Sequence, residues 1–306
     1  MSKRMRVKGV VAAIAACLLV FCVALTSALA ADVTYAEKPA NGTTEGQPFR
    51  AGTGGSQCFR IPTIATLDDG TIVAATDARW NWTMDGGGLD TIVSVSTDGG
   101  ATWTYTFANY LGDNGNTANQ ASTAFIDPAL ATDGETLYLV ADIFPAGIAL
   151  NGAHSGPAVG DGFDENGNLR LRTNDGETIN GSYGATVAAK SYDYYLDLDE
   201  LKIRKAADDS LVEGYTVDAY FNITDTETNV KKNLFCADAP FQVFPTDYLY
   251  MTTSTDGLTW SAPTLLDLKE PDEATLLVGP GNGIVLDDGT IVFSVYEYTS
   301  GKQEAG

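Results

Sequence analysis

Apolar and polar residues alternate in short runs along most of this chain, and the runs are rich in Val, Ile, Thr and Tyr. Asp-Gly and Asn-Gly dipeptides punctuate them. A period of two bounded by such turns predicts β-strands joined as hairpins. No stretch combines helical periodicity with caps; Leu198–Lys205 comes nearest and is short. The predicted class is all-β. One apolar run stands apart: Gly9 to Leu25 is unbroken, follows Lys3, Arg4, Arg6 and Lys8, and ends near Ala28-Leu29-Ala30. This is the anatomy of a secretory signal peptide over residues 1–30, which predicts a secreted or cell-surface protein. An uncleaved anchor is the alternative, since a bilayer span takes about 20 apolar residues.

The strand pattern repeats. Leu67-Asp68-Asp69-Gly70-Thr71-Ile72-Val73 recurs unchanged as Leu286-Asp287-Asp288-Gly289-Thr290-Ile291-Val292, and a looser copy runs from Leu130 to Val140. Each reads as strand, Asp-Gly turn, strand. A second unit follows the first hairpin: Ser96 to Trp103 fits S-x-D-x-G-x-T-W, and Ser254 to Trp260 is the same pattern with one residue deleted. In this Asp-box the Asp side chain bonds backbone amides, Gly supplies positive φ and Trp packs away from solvent. Hairpin, strand, box and strand make four antiparallel strands per repeat, the plan of a propeller blade.

Blade one runs from about Arg60 to Ala108, blade two from Asp127 to Leu266, and blade three begins near Gly279. Blade two is far too long, so residues 151–240, with alternating runs such as YDYYLDLDELKI, are expected to form a small inserted β subdomain. The aromatic content argues against disorder there. The divisions are signal peptide (1–30), leader (31–55), blade one with the start of blade two (56–150), insertion (151–240), and the end of blade two with the start of blade three (241–306). Two and a half blades would leave open sheet edges, so the residues are expected to be part of a longer design.

Charge and side-chain inventory narrow the chemistry. Removing the signal leaves 14 basic against 40 acidic residues, a net −26. Such a surface repels nucleic acid and anionic membranes. His154 is the single histidine, which argues against His-rich metal sites and a Ser-His-Asp triad. Catalysis would have to run on carboxylates, tyrosines and arginines, with no cofactor. Asp164–Asn168 (DENGN) offers oxygen ligands of the kind Ca²⁺ takes, but an ordinary Asp/Asn/Gly turn accounts for it more simply. Cys58 and Cys236 remain after signal removal; a disulfide and two buried thiols are both compatible with an extracellular setting.

The segment CFRIPTIATLDDGTIVAATDAR carries Phe59-Arg60-Ile61-Pro62 before the first hairpin and Arg79 after it, then Asp85 in WTMDGGG, then the first Asp-box. This ordered set resembles the bacterial exo-α-sialidases (neuraminidases), with their FRIP motif and Asp-boxes. The likeness extends to FIDPAL, LVADIFPAG and VGPGNGI. It implies a six-bladed β-propeller that takes terminal sialic acid from glycans, glycoproteins or glycolipids, with retention through a tyrosyl intermediate. An intramolecular trans-sialidase shares the motifs, and a non-catalytic sialoglycan-binding propeller is the rival from another class.

The substrate's chemistry makes the residues intelligible. Sialic acid carries a carboxylate on the carbon where the bond breaks, and guanidinium groups bind carboxylates in a planar fork. By resemblance Arg60 is one of three such arginines, Arg79 a further pocket arginine, and Asp85 the general acid/base in a mobile-looking glycine loop. Asp127, expected where blade two matches Arg60, would contact the sugar's polar substituents; Tyr296 and Gln303 would be outer substrate contacts. A tyrosine nucleophile avoids a second negative charge beside the substrate carboxylate. In the family that Tyr, its partner Glu and two arginines come later in the chain, so none of the 14 tyrosines is assigned the role, and the 306 residues alone are expected to be inactive.

Overall fold

Strand formation follows the turns. A computed structural model describes residues 38–80, 85–112, 123–150, 154–299 and 302–305, with side chains for all but 298–299 and 302–305. The signal segment lies outside the described residues, and no helix among them is long and apolar enough to cross a membrane. The two identical heptapeptides fold alike. Thr71 N–H donates to Asp69 Oδ1 at 2.8 Å and Thr290 N–H to Asp288 Oδ1 at 3.0 Å, while Leu67 and Leu286 N–H close the turns on the Thr71 and Thr290 carbonyls.

Strand β1 (Gly42–Glu45) comes from the leader. The first repeat supplies β2 (Cys58–Thr66), β3 (Ile72–Arg79), β4 (Leu89–Ser96) and β5 (Thr102–Asn109), each antiparallel to the next. β1 lies along β5 and covers its outer edge. The second repeat begins with β6 (Ala124–Thr132) and β7 (Leu137–Phe144). The insertion follows, with β8 (Leu169–Thr173), helix α1 (Tyr183–Ala188), β9 (Tyr194–Asp197), β10 (Lys202–Lys205), β11 (Tyr215–Val217), β12 (Asn222–Asp225), β13 (Lys231–Asn233) and β14 (Phe241–Val243). These strands form a sheet β10-β9-β8-β14 and a sheet β11-β12-β13. β15 (Tyr248–Ser254) then pairs with β7, and β16 (Thr264–Leu266) with β15.

The third repeat holds β17 (Leu276–Val278), β18 (Gly281–Asn282), β19 (Ile284–Val285), β20 (Ile291–Val292), β21 (Val295–Thr299) and β22 (Lys302–Ala305). β18 runs parallel to β6, and Gly281 O accepts from Thr63 Oγ1 of β2 at 2.6 Å. The inner strands of all three repeats therefore meet.

Both box turns have one geometry. Asp98 accepts from Thr102 N–H at 2.9 Å and Asp256 from Thr259 N–H at 2.7 Å; Trp103 and Trp260 each donate to the carbonyl of the glycine three residues earlier at 3.0 Å. The Thr102 hydroxyl and amide, with Ser96, hold the Asp98 carboxyl down to about 2. Trp260 packs in one core cluster with Leu67, Val73, Val93 and Leu139, so blade two's turn helps to seal the interface with blade one.

Leu198–Lys205, the nearest approach to helical periodicity, is a turn and a strand: Asp197 Oδ1 accepts the Asp199 and Glu200 N–H groups, which makes the turn, and β10 pairs back on β9. Among the described residues the one α-helix, α1, contains Gly184 and the β-branched Thr186 and Val187, and its N-cap Ser182 makes no side-chain capping bond, so its local sequence announces it only weakly. The insertion also lacks a core of its own. Its Phe163, Leu169, Leu171 and Phe221 pack in one cluster with Phe125, Ile143 and Tyr250 of blade two.

Gly257 marks the blade interface. Its φ is +69° and a Cβ there would lie 2.7 Å from Val95 Cγ2. Gly257→Val is expected to destabilise the fold by about 2–4 kcal/mol through strain and overpacking, read as a lower urea midpoint.

Candidate active site

The site grows from an irregularity in the inner strands. In β2 the register jumps between Arg60, opposite Asp77, and Thr63, opposite Ala75, so one extra residue is looped out. β6 does the same between Ile126, opposite Asp142, and Ala129, opposite Val140. Each bulge falls just before a proline, at Ile61-Pro62 and Asp127-Pro128, and both pre-proline residues have φ of 57°. Bulges of this kind re-aim side chains, and a left-handed Ile costs about 1–3 kcal/mol. Thr76 Oγ1 secures the first by donating to the Arg60 carbonyl at 2.5 Å.

Residues opposite one another, and residues two apart, share a face of a sheet. The register therefore places Arg60, Asp77 and Arg79 together. Asp77 and Arg79 are fully buried, with Arg79 Nη2 2.7 Å and Nε 3.2 Å from Asp77 Oδ2. Arg79 Nη1 reaches Asp85 Oδ1 at 2.5 Å, and the exposed Arg60 Nη1 lies 3.3 Å from the same oxygen. One carboxylate oxygen is thus held between two guanidinium groups. Burial opposes charge on Arg79, but Asp77 and Asp85 outweigh it and raise its pKa. Burial pushes Asp77 up to about 8 against the pull of Arg79.

Asp127 is close but not where expected. By the bulge register its counterpart in blade one is Ile61, whereas Arg60 corresponds to Ile126. Its N–H donates to Asp77 Oδ1 at 3.0 Å, and burial raises its carboxyl to about 6 against the fields of Arg79 and Arg60. Tyr296 is half-buried rather than peripheral and packs against the cluster of Leu89, Ile126 and Leu277. Burial raises its phenol, and the charges of Asp142, Asp127, Asp247 and Asp85 add to the effect. Gln303 lies on β22 opposite Tyr298; its side chain is outside the described residues. The glycines after Asp85 are buried, while Asp85 itself is about half exposed.

Three further aspartates carry no assigned role in the sequence: Asp77, within Asp-Ala-Arg, Asp142, within LVADIFPAG, and Asp247. Asp142 is the blade-two counterpart of Asp77. Its Oδ1 accepts the Val278 N–H at 2.8 Å, as Asp77 accepts that of Asp127, so in both repeats a buried aspartate ties down the next blade's inner strand. Its Oδ2 is buried with no hydrogen-bond partner among the described residues, and burial raises its carboxyl well above the usual range. Asp247 takes the Leu276 N–H at 3.0 Å and faces Lys269. An aspartate inside an apolar strand was the available signal.

Other candidates resolve simply. Asp164 accepts the Asn166 and Asn168 N–H groups at 2.9 Å, so DENGN is a turn held by its own carboxylate. Among the described residues no group of three or more His, Cys, Asp or Glu is arranged to hold a metal. No disulfide joins Cys58 and Cys236. The Cys236 thiol lies 3.5 Å from Thr123 Oγ1, and burial pushes it up to about 12.

Blades of antiparallel strands with Arg60 at one inner bulge and Asp127 at the next fit a sialidase-type β-propeller, and relatives agree. No family model matches the chain. It is 31% identical over 266 residues to the anhydrosialidase of Macrobdella decora, covering 76% of this chain and 34% of that protein. It is 32% identical over 278 residues to sialidase B of Streptococcus pneumoniae, covering 80% and 39%. Among solved structures, the intramolecular trans-sialidase of Ruminococcus gnavus superposes with a TM-score of 0.66 at 28% identity over 85% of this chain and 62% of that one. The leech intramolecular trans-sialidase gives 0.69 at 28% identity over 86% and 43%. The chain belongs to the sialidase family, and it spans between about a third and two fifths of the length of the curated relatives it matches.

The raised carboxyls set a pH dependence. Asp127 and Asp142 hold protons in the folded chain that they release near pH 3.9 when unfolded. Stability gained from this is present at low pH and is lost as pH rises through the folded values, about 6 for Asp127. The melting temperature is expected to fall as pH rises from about 4 to about 6, and Asp142→Asn, which carries no charge to bury, is expected to flatten that fall.

Proposed function

We propose that this chain supplies the carboxylate-binding and acid/base part of an exo-α-sialidase that removes terminal sialic acids from glycoconjugates. The observation that carries the reading is the single Asp85 oxygen lying between Arg60 and Arg79. An incoming sialic acid carboxylate competes with Asp85 for the exposed Arg60 guanidinium. Arg79, held from beneath by Asp77, keeps its charge and its place. Released from Arg60, the half-exposed Asp85 can take up a proton from solvent, pass it to the departing glycosidic oxygen, and then take a proton from the attacking water. Retention through a tyrosyl intermediate, with the nucleophile and its partner Glu supplied from beyond these 306 residues, completes the proposal. Residues 1–30 direct the protein to secretion.

A second reading has specific support. The leech relative is an anhydrosialidase, and two of the structural neighbours are intramolecular trans-sialidases, one of them complexed with 2,7-anhydro-Neu5Ac. In that reaction the first step is shared and the sugar's own hydroxyl replaces water in the second.

Full-length protein incubated with 3′-sialyllactose is expected to yield free sialic acid by mass spectrometry. A product lighter by one water establishes the second reading, and no release from the lactoside contradicts both. Asp85→Asn is expected to lower turnover at least about 100-fold. Arg60→Met is expected to raise KM about 10- to 100-fold by removing a charge-assisted contact.

A further inference from the structure

The glycine next to Asp85, Gly86, is explained by what lies behind it. Gly86, Gly87 and Gly88 are buried, and the Trp80 N–H donates to the Gly88 carbonyl at 3.2 Å at the base of the loop. A Cβ on Gly86 would lie 2.7 Å from Ala149 Cβ, 3.0 Å from His154 Cε1 and 3.1 Å from His154 Nδ1. Carbon atoms in good contact sit about 3.5–4.0 Å apart. A methyl group at 86 is therefore short of room by roughly 1 Å, and the backbone there rests directly on Ala149 and His154.

These two residues lie where the chain leaves β7 and enters the insertion, and they are firmly held. Ala149 is fully buried and His154 is 8% exposed. The Ala149 N–H donates to the Ser155 carbonyl and the Ser155 N–H to the Gly147 carbonyl, both at 3.0 Å. Ser155 Oγ donates to the Asn180 carbonyl at 2.5 Å, and Ile148 packs with Tyr183 and Val187 of α1. The support behind Gly86 is thus anchored to blade two on one side and to the inserted region on the other.

We propose that Ala149 and His154 are positioning residues for Asp85, a backstop that fixes how deeply the backbone bearing this carboxyl can sink. The proposal rests on the sialidase reading above. It couples the insertion to the acid/base step without placing any insertion residue on the substrate. A general acid must stand within about 2.6–3.2 Å of the oxygen it protonates, and a misplacement of about 1 Å costs about 100-fold in rate.

The test uses leaving groups. A 4-methylumbelliferyl sialoside departs as a stable phenolate and needs little protonation, whereas 3′-sialyllactose departs as a sugar alkoxide and needs the acid. In the full-length protein, Gly86→Ala is expected to lower kcat/KM about 100-fold on sialyllactose and less than about 10-fold on the aryl sialoside. Asp85→Asn should show the same selectivity. His154→Ala, which opens the backstop, is expected to give a smaller loss with the same preference. The double variant Gly86→Ala/Ala149→Gly moves the methyl across the contact and is expected to recover most of the sialyllactose activity. Equal losses on both substrates in Gly86→Ala, no loss at all, or no recovery in the double variant overturns the proposal. Wild-type protein inert towards both sialosides overturns the sialidase reading itself, and the proposal with it.

Discussion

A buried carboxylate on the second strand of blade one organises the structure around it. Asp77 uses one oxygen to hold the Arg79 guanidinium and the other to accept the Asp127 N–H from blade two. Removing one member of such a buried pair costs about 3–5 kcal/mol, because the partner charge is left without compensation. The pair is better understood through what it fixes than through what it stabilises. Arg79 is fully buried and cannot swing away, so Asp85 meets a stationary cation, and the adjoining blade is set in register by the same side chain.

The bulges explain how strands that bury apolar faces can also present charge. Alternation alone would continue one face of β2 into the core. The extra residue at Ile61-Pro62 breaks that continuity beside Arg60, and its left-handed backbone is held by Thr76 and by the packing of three inner strands. Blade two repeats the device at Asp127-Pro128 with different chemistry: the left-handed residue is a carboxylate, and the residue matching Arg60 is the buried Ile126. The same backbone thus provides a cation in one blade and an acid in the next, and buried aspartates on the second strands receive the freed N–H groups.

Much of this was legible in the residues. The identical heptapeptides and the two boxes dictate their own hydrogen bonds, so the hairpins and the four-stranded repeat follow from local chemistry. Arg60, Arg79 and Asp85 were singled out because each belongs to a motif, and the fold brings the three together. The register of Asp127 was not legible, since a bulge changes which residue faces its neighbour without changing the sequence pattern. The roles of Asp77 and Asp142 were not legible, although both lie in the motif segments, because an aspartate within a strand carries no turn signal and its partners are 50 and 136 residues away. The close packing of Gly86 depends on Ala149 and His154, again a contact that only the fold creates.

The central claim is that Arg60 and Arg79 flank the place where a sugar carboxylate meets Asp85. A crystal structure of the full-length protein with a 2,3-didehydro sialic acid tests it most directly. The account predicts the ligand carboxylate within hydrogen-bond distance of Arg60, the Arg60–Asp85 contact opened, and Arg79 still seated on Asp77. A ligand bound elsewhere, or bound with Asp85 still bridging both arginines, would contradict it.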